Sequence, residues 1–272
     1  MIDVIVTGAA GRMGREVVRA VSAQADMRVA AAIDSGADGM TVEDHAGAPV
    51  TVTADLVAAL AGPAPRVLVD FTTPSSVEQN VRAALAAGVH CVVGTTGVSE
   101  GHWREVYAES AGPAAGHAGA QGGVPCLFVA PNFAVGAVLM MRFAAQAARY
   151  MPHVEVIELH HDRKLDAPSG TAMRTAALIS AVRASDPAVP GRDTEVVEGA
   201  RGAVVEGVHV HSVRLPGLVA HQEVIFGGQG QTLTIRHDSI DRTSFMPGVL
   251  LAVREVVGRS GLVVGLEALM GL

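Results

Sequence analysis

The chain has 272 residues, 49% of them hydrophobic, 17% charged and only 3% aromatic, with a formal net charge of −7. That length holds one large or two ordinary domains, and the apolar share excludes a disordered chain and calls for a core of aliphatic side chains, as where helices pack on a parallel sheet. The acidic balance without a Lys/Arg run argues against a nucleic-acid partner, and two cysteines in apolar runs, Cys91 and Cys126, make neither a disulfide framework nor a spaced ligand set.

The chain opens on a strand-like run at 2–7 with no basic leader before it. The longest apolar stretch, 133–148, is interrupted by Arg142 and Gln146 and is no membrane span. The expectation is a soluble, cytoplasmic protein. Further β-branched runs follow at 28–33, 66–71, 90–93 and 125–129, with helix-like stretches at 13–23, 75–87 and 99–110 between them. Strands alternating with helices of this length imply parallel crossovers and a doubly wound sheet. Gly88 and Gly112 stand where C-terminal caps belong. A Gly- and Ala-rich loop is expected at 112–123, and a long apolar helix at 133–150 leads into a second domain.

The second half changes character. A strand is expected at 153–159, then a polar loop, a helix at 171–183 and a polar loop at 184–207. Three closely spaced strands follow at 208–215, 221–226 and 231–236, the last two joined by a hairpin turn at 227–230. Two helices, 244–257 and 262–272, are expected to return to the first domain. The predicted fold is α/β, with a Rossmann domain (1–131, with 241–272 packed back onto it) and an α+β domain with an open mixed sheet (132–240).

The first strand runs into Gly8-Ala9-Ala10-Gly11-Arg12-Met13-Gly14, and an apolar-periodic helix follows. In that setting one glycine allows a tight turn, another lets backbone approach a pyrophosphate, and the last permits close helix–strand packing. The phosphates then meet the N–H groups of the helix start. The spacing is GxxGxxG rather than GxGxxG, and by itself such a turn also serves as a plain connector. Asp34 ends the second strand about 20 residues on, where an acid accepts from ribose hydroxyls; as Asp-Ser-Gly it is also ordinary turn chemistry. No Arg follows it, which leans toward NADH or toward use of both nucleotides. Phe71-Thr72-Thr73-Pro74, Gly94-Thr95-Thr96-Gly97 and Ala130-Pro131-Asn132-Phe133 follow later strands, at the ends that line the crevice of an open α/β sheet.

The densest chemistry lies at Glu155–Thr171. Alternation puts Glu158 and His160 on one strand face. His160, His161 and Lys164 cluster at its end, and Pro168-Ser169-Gly170-Thr171 opens a helix whose N–H groups and hydroxyls suit a carboxylate. A histidine supplies a proton near neutral pH, and Lys164 adds positive charge. Each residue also has a plain reading: His160 and His161 as a surface pair, Ser169 as a helix cap, Lys164 as a solvated charge. Adjacent histidines share one ion poorly. With Glu158, Asp162 and Asp166 as the only other donors, no metal is expected.

The run E-x-x-E-x-H-H-x-x-K-x-D-x-P-S-G-T-A resembles the long signature of dihydrodipicolinate reductases. The GAAGRMG and GTTG turns, Ala130–Phe133 and Arg242 to Phe245 extend the resemblance over essentially the whole chain. It implies reduction of the cyclic imine derived from 4-hydroxytetrahydrodipicolinate by NADH or NADPH, in lysine and diaminopimelate synthesis. It also implies His160 as general acid assisted by Lys164, with His161, Ser169, Gly170 and Thr171 on the substrate carboxylates. Cofactor contacts implied are Gly8, Ala9, Ala10, Gly11, Arg12, Met13, Asp34, Gly94, Thr95, Thr96, Ala130, Pro131, Asn132, Phe133 and Arg242. The family folds as two hinged domains and is usually a homotetramer built through the second-domain sheets. One departure concerns the cofactor: where some members carry a basic residue after the ribose-binding acid, this chain has Ser35, leaving Arg12 or Arg15 to reach a phosphate. The competing readings are a Rossmann reductase or dehydrogenase of another small carboxylic acid, and a non-enzymatic nucleotide sensor.

Overall fold

A computed structural model describes residues 1–61, 66–111, 124–183 and 194–272. The expected loop at 112–123 and the Gly112 cap lie outside the described residues. In chain order the elements begin β1 (Ile2–Thr7), α1 (Arg12–Ser22), β2 (Met27–Ile33), β3 (Thr41–Glu43), β4 (Pro49–Thr53) and α2 (Leu56–Leu60). They continue β5 (Arg66–Asp70), α3 (Pro74–Ala86), β6 (His90–Val93), α4 (Glu100–Ala111), β7 (Cys126–Val129) and α5 (Val135–Ala148). The rest are β8 (His153–His160), α6 (Gly170–Ser180), β9 (Ala203–Val205), β10 (Val208–Arg214), β11 (Ala220–Gly228), β12 (Gln231–Ser239), α7 (Met246–Val256), β13 (Gly261–Val264) and α8 (Glu267–Met270). By its internal contacts the chain divides into two units, Met1–Phe133 with Phe245–Leu272, and Ala134–Ser244.

The first unit is built on a sheet of order β13-β7-β6-β5-β1-β2-β4-β3, parallel except for the β3–β4 pair. Its central strands are covered on both faces, which is why Val4, Ile5 and Val6 form an unbroken buried run. Helix α1 buries Gly14, Val17, Val18 and Val21 at helical spacing. Helix α3 starts on Pro74, whose missing N–H costs nothing at that position. It ends on Gly88 at φ +73°, a backbone that favours glycine. The strand order reverses beside β1, where β2 lies on one side and β5 on the other, the usual place for a crevice.

The second unit has a mixed sheet of order β12-β11-β8-β10-β9. Strands β8 and β10 run parallel and the other pairs antiparallel. Helices α5 and α6 pack together and against one face of it, burying Val154, Val156, Val210, Val224 and Phe226. On the opposite face Glu155, Ile157, Leu159 and Ile225 stay partly exposed. The β11–β12 hairpin turns through Gln229 and Gly230.

Two sequence expectations need correction. The stretch 262–272 is not a helix: it forms β13, parallel to β7, followed by the short α8. Gly261 and Gly265, both at φ +88°, punctuate the β-branched run, and an edge of β7 is there to pair with it. Within the expected loop 184–207, Ala203–Val205 forms the edge strand β9. Glu206 and Gly207 both take positive φ, as a two-residue hairpin between Val205 and Val208 requires. Strands β3 and β4 and helix α2 are additions that the sequence reading did not contain.

Candidate functional site

The chemistry-bearing residues form two groups, one in each unit. In the first unit, the turn between β1 and α1 is packed against glycine hydrogens. A Cβ on Gly14 would sit 2.1 Å from the Gly8 carbonyl oxygen, and Gly8 itself is at φ +71°. Gly11 caps α1 without a side-chain oxygen, leaving first-turn N–H groups to an outside acceptor. Beside this turn lies a cavity of about 320 Å³ lined by Gly8, Gly11, Asp34 and Ser35. Ala54 and Leu56, from the segment after β4, and Thr72, Thr73, Ser76 and Asn80, from the segment after β5, also line it, with Thr7, Ile33 and Phe71 at the strand ends. Asp34 is held at the cavity by two backbone donors, Ala10 N–H at 3.2 Å and Gly36 N–H at 3.1 Å. An uncapped helix start, a glycine cradle and a carboxylate at the end of β2 fit a dinucleotide.

The other expected cofactor positions are distributed around this turn. Arg12 is exposed and Met13 partly so, whereas Ala9 is buried. Arg15 donates to the Ala10 carbonyl at 2.8 Å. Thr95 is buried and gives its hydroxyl to Asp70 at 3.0 Å, while Thr96 is exposed. Gly94 is required where it stands, because a Cβ there would lie 2.1 Å from the Phe71 ring. Ala130 is anchored by its N–H to the Val93 carbonyl, and Phe133 packs on Phe71 and Phe128. Pro131 is exposed and Asn132 partly buried. Arg242 belongs to the second unit, exposed on a 3-10 turn at Arg242–Phe245.

Sequence reasoning missed Asp70. It is fully buried at the end of β5 and accepts from Thr7, Thr72, Thr95 and Asn80 side chains at 2.7–3.0 Å, and from the Thr72 N–H at 2.9 Å. The carboxylate thereby ties the C-terminal ends of β1, β5 and β6 to α3. The available signal was an Asp closing the apolar run Val67-Leu68-Val69 and followed two residues later by Thr72.

In the second unit, β8 ends in His160 and the loop after it carries His161 and Lys164. Glu158 is fully buried on the helix-facing side of β8. It lies 2.5 Å from His160 Nδ1 and receives both terminal nitrogens of Arg214, at 2.7 and 2.8 Å. Burial pushes the Glu158 carboxyl up, but hydrogen bonds from His160, Arg214 and Ser212 outweigh it and hold the pKa at about 2. Lys164 Nζ donates to both oxygens of Asp166, at 2.7 and 2.8 Å, keeping that carboxyl below its ordinary value. Nδ1 of His161 is buried and has no hydrogen-bond partner.

Ser169 is buried and caps α6, its hydroxyl accepting from Ala172 N–H at 3.2 Å. Its own N–H goes to Glu158 at 3.2 Å, which ties the start of α6 to the end of β8. Gly170 has open space around the position of a Cβ, and the helix start can be approached there. His160, Lys164, Ser169 and Gly170 are thus gathered around one buried ion pair. Among the described residues no group of three or more His, Cys, Asp or Glu side chains is arranged to hold a metal.

Sequence comparison covers residues of both units. Residues 2–115 match the profile of the dihydrodipicolinate reductase N-terminus and residues 136–270 that of its C-terminus. A 4-hydroxy-tetrahydrodipicolinate reductase of Desulfitobacterium hafniense is 51% identical over 272 residues, covering 98% of this chain and 97% of that one. One from Streptococcus suis is also 51% identical, covering 99% of both. Among solved structures, dipicolinate-bound dihydrodipicolinate reductase from Paenisporosarcina sp. TG-14 is 40% identical with a TM-score of 0.81, covering 98% of this chain and 99% of that one. An amine dehydrogenase from Mycobacterium smegmatis, 14% identical with a TM-score of 0.59 and covering 97% and 94% of the two chains, shares the fold alone.

Proposed function

As this chain belongs to the dihydrodipicolinate reductase family, we propose that its first unit binds the nicotinamide nucleotide and its second unit binds the dicarboxylate and supplies the proton. The activity is NAD(P)H-dependent reduction of the cyclic imine derived from 4-hydroxy-tetrahydrodipicolinate to tetrahydrodipicolinate, in lysine and diaminopimelate synthesis. The nicotinamide, when bound, supplies the hydride.

The rest of the chemistry falls to this chain's side chains. Gly8 to Met13 receive the pyrophosphate at the uncapped start of α1, and Asp34 accepts from the ribose. Gly94 to Thr96 and Ala130 to Phe133 are the remaining cofactor contacts of this reading. His160 donates the proton from Nε2, since its Nδ1 is engaged by Glu158. Lys164 assists from the same loop. His161 and Ser169, Gly170 and Thr171 take the substrate carboxylates at the start of α6, where the helix dipole favours negative charge. The observation that carries this assignment is the gathering of His160, Lys164 and the α6 start around buried Glu158.

The protein acts in the cytoplasm, and the partly exposed sheet face bearing Ile157, Leu159 and Ile225 forms the contact of a homotetramer. Light scattering on the eluting protein tests this, and a monomer mass would refute it.

The roles are tested by following nicotinamide absorbance with enzymatically generated hydroxytetrahydrodipicolinate, using wild type and the His160→Ala/Lys164→Ala double variant. Turnover should fall by about 10²–10⁴-fold, with nucleotide affinity unchanged. A double variant as fast as wild type would overturn the proton-donor assignment. A loss confined to nucleotide affinity would overturn the division between the units.

A further inference from the structure

Glu158 is a fully buried carboxylate beside Val156 on the helix-facing side of β8. A charge in that position must be met by hydrogen bonds, and donors from β8, from β10 and from the start of α6 meet it. His160 Nδ1 is 2.5 Å from Oε2. Arg214 Nη1 donates to Oε2 at 2.8 Å and Nη2 to Oε1 at 2.7 Å. The Ser169 N–H donates to Oε1 at 3.2 Å. Each oxygen accepts two of these bonds, and the Ser212 side chain also hydrogen-bonds to the carboxylate. Ionised Glu158 can only accept, so the proton in its contact with His160 belongs to Nδ1. Whatever the charge of the ring, Nε2 is then the atom that gains and loses a proton.

We infer that Glu158 and Arg214 are positioning residues for the proton-donating step: Glu158 holds His160 with a fixed proton on Nδ1, and Arg214 locks Glu158 in the orientation that does so. The inference rests on the reading of His160 as the proton donor. Arg214 lies outside the dense segment 155–171 and reaches it through the fold, because parallel pairing of β10 with β8 sets Arg214 opposite His160. The same guanidinium donates from Nη2 to the Asp166 carbonyl at 2.8 Å, and Asp166 is the residue that grips Lys164. One planar fork therefore joins the strand end carrying His160 to the loop carrying Lys164. A lysine, with a single point of charge, cannot reproduce that fork. Stability alone does not account for the arrangement, since a well-packed apolar pair stabilises a core as well as a buried ion pair or better.

The test compares Arg214→Lys, Glu158→Gln and His160→Asn, singly and with each of the first two combined with the third. Melting curves establish that each variant is folded. Steady-state kinetics separate kcat from KM, and imidazole ¹⁵N spectra report which ring nitrogen carries the proton. Arg214→Lys and Glu158→Gln should each lower kcat about 10²-fold, with KM values changed less than about threefold. Wild-type His160 should show a protonated Nδ1, and both variants a mixture of tautomers. In the His160→Asn background either substitution should cost less than about twofold in kcat, because residues that act as a unit are not additive.

Folded Arg214→Lys and Glu158→Gln proteins that keep wild-type kcat would overturn the inference if His160→Asn is slow. Losses that multiply in the His160→Asn background would overturn it too. Wild-type turnover in His160→Asn would instead sink the underlying proton-donor reading. Should Glu158→Gln fail to fold, Arg214→Lys and the wild-type spectrum decide, and an unprotonated wild-type Nδ1 is an overturning result.

Discussion

Arg214 and Glu158 form a two-bond ion pair at 2.7 and 2.8 Å, whose acid is completely buried and whose base comes from the neighbouring strand. The pair has a consequence for stability as well as for His160. The folded Glu158 carboxyl has a pKa of about 2 against an ordinary 4.5. A depressed folded pKa means that the unfolded chain takes up the proton first. The contribution is therefore fully present above pH 4.5 and is lost as pH falls toward 2. Its size is on the order of 3 kcal/mol. Urea unfolding of wild type and Glu158→Gln at steps from neutral to acid pH measures it. The wild-type advantage should shrink once pH drops through the carboxylate range, and a constant gap would refute the linkage.

Asp70 organises the other half of the site. Its oxygens accept from four side chains and one N–H, drawn from the ends of three strands and from α3. In Asp70→Asn one oxygen becomes a donor facing donors, so some of these groups lose a partner inside the protein. The cost should be about 3 kcal/mol of unfolding free energy. Displacement of Thr72, which lines the cavity, should raise KM for the nucleotide more than it lowers kcat. Chemical unfolding and steady-state kinetics check both. Unchanged stability and KM would mean that Asp70 is not the organiser of these turns.

The nucleotide choice should follow the residue after Asp34. Ser35 lines the cavity and offers no cation to a 2′-phosphate, while Asp34 repels one. NADH should be the better substrate, and Ser35→Arg should raise the NADPH/NADH ratio of kcat/KM by roughly tenfold, or about 1.4 kcal/mol. A wild type that prefers NADPH, with no response to the substitution, would show that another cation, such as exposed Arg12, reads the phosphate.

Much of this was legible in the chain. Repeated β-branched runs with helical stretches between them reported a parallel sheet, because period and length are local properties. The GAAGRMG turn reported its own conformation, because Gly14 is crowded by backbone atoms of Gly8 and Ala9 and Gly8 takes a positive φ. What escaped was decided at long range. The run Leu262-Val263-Val264 reads equally as helix or strand until the edge of β7 is there to pair with it. Strand β9 joins the sheet through its short turn to β10, and β10 is itself held by distant β8.

The site divides in the same way. Residues 155–171 determined by themselves which side chains could carry the chemistry, since histidine, lysine and a helix start have fixed chemical capacities. Only the tertiary structure decided how they are held. Arg214 stands 56 positions from Glu158 and Asp70 stands 63 from Thr7. No local pattern announces such partners, because it is the closing of a sheet over a buried carboxylate that creates the need for them.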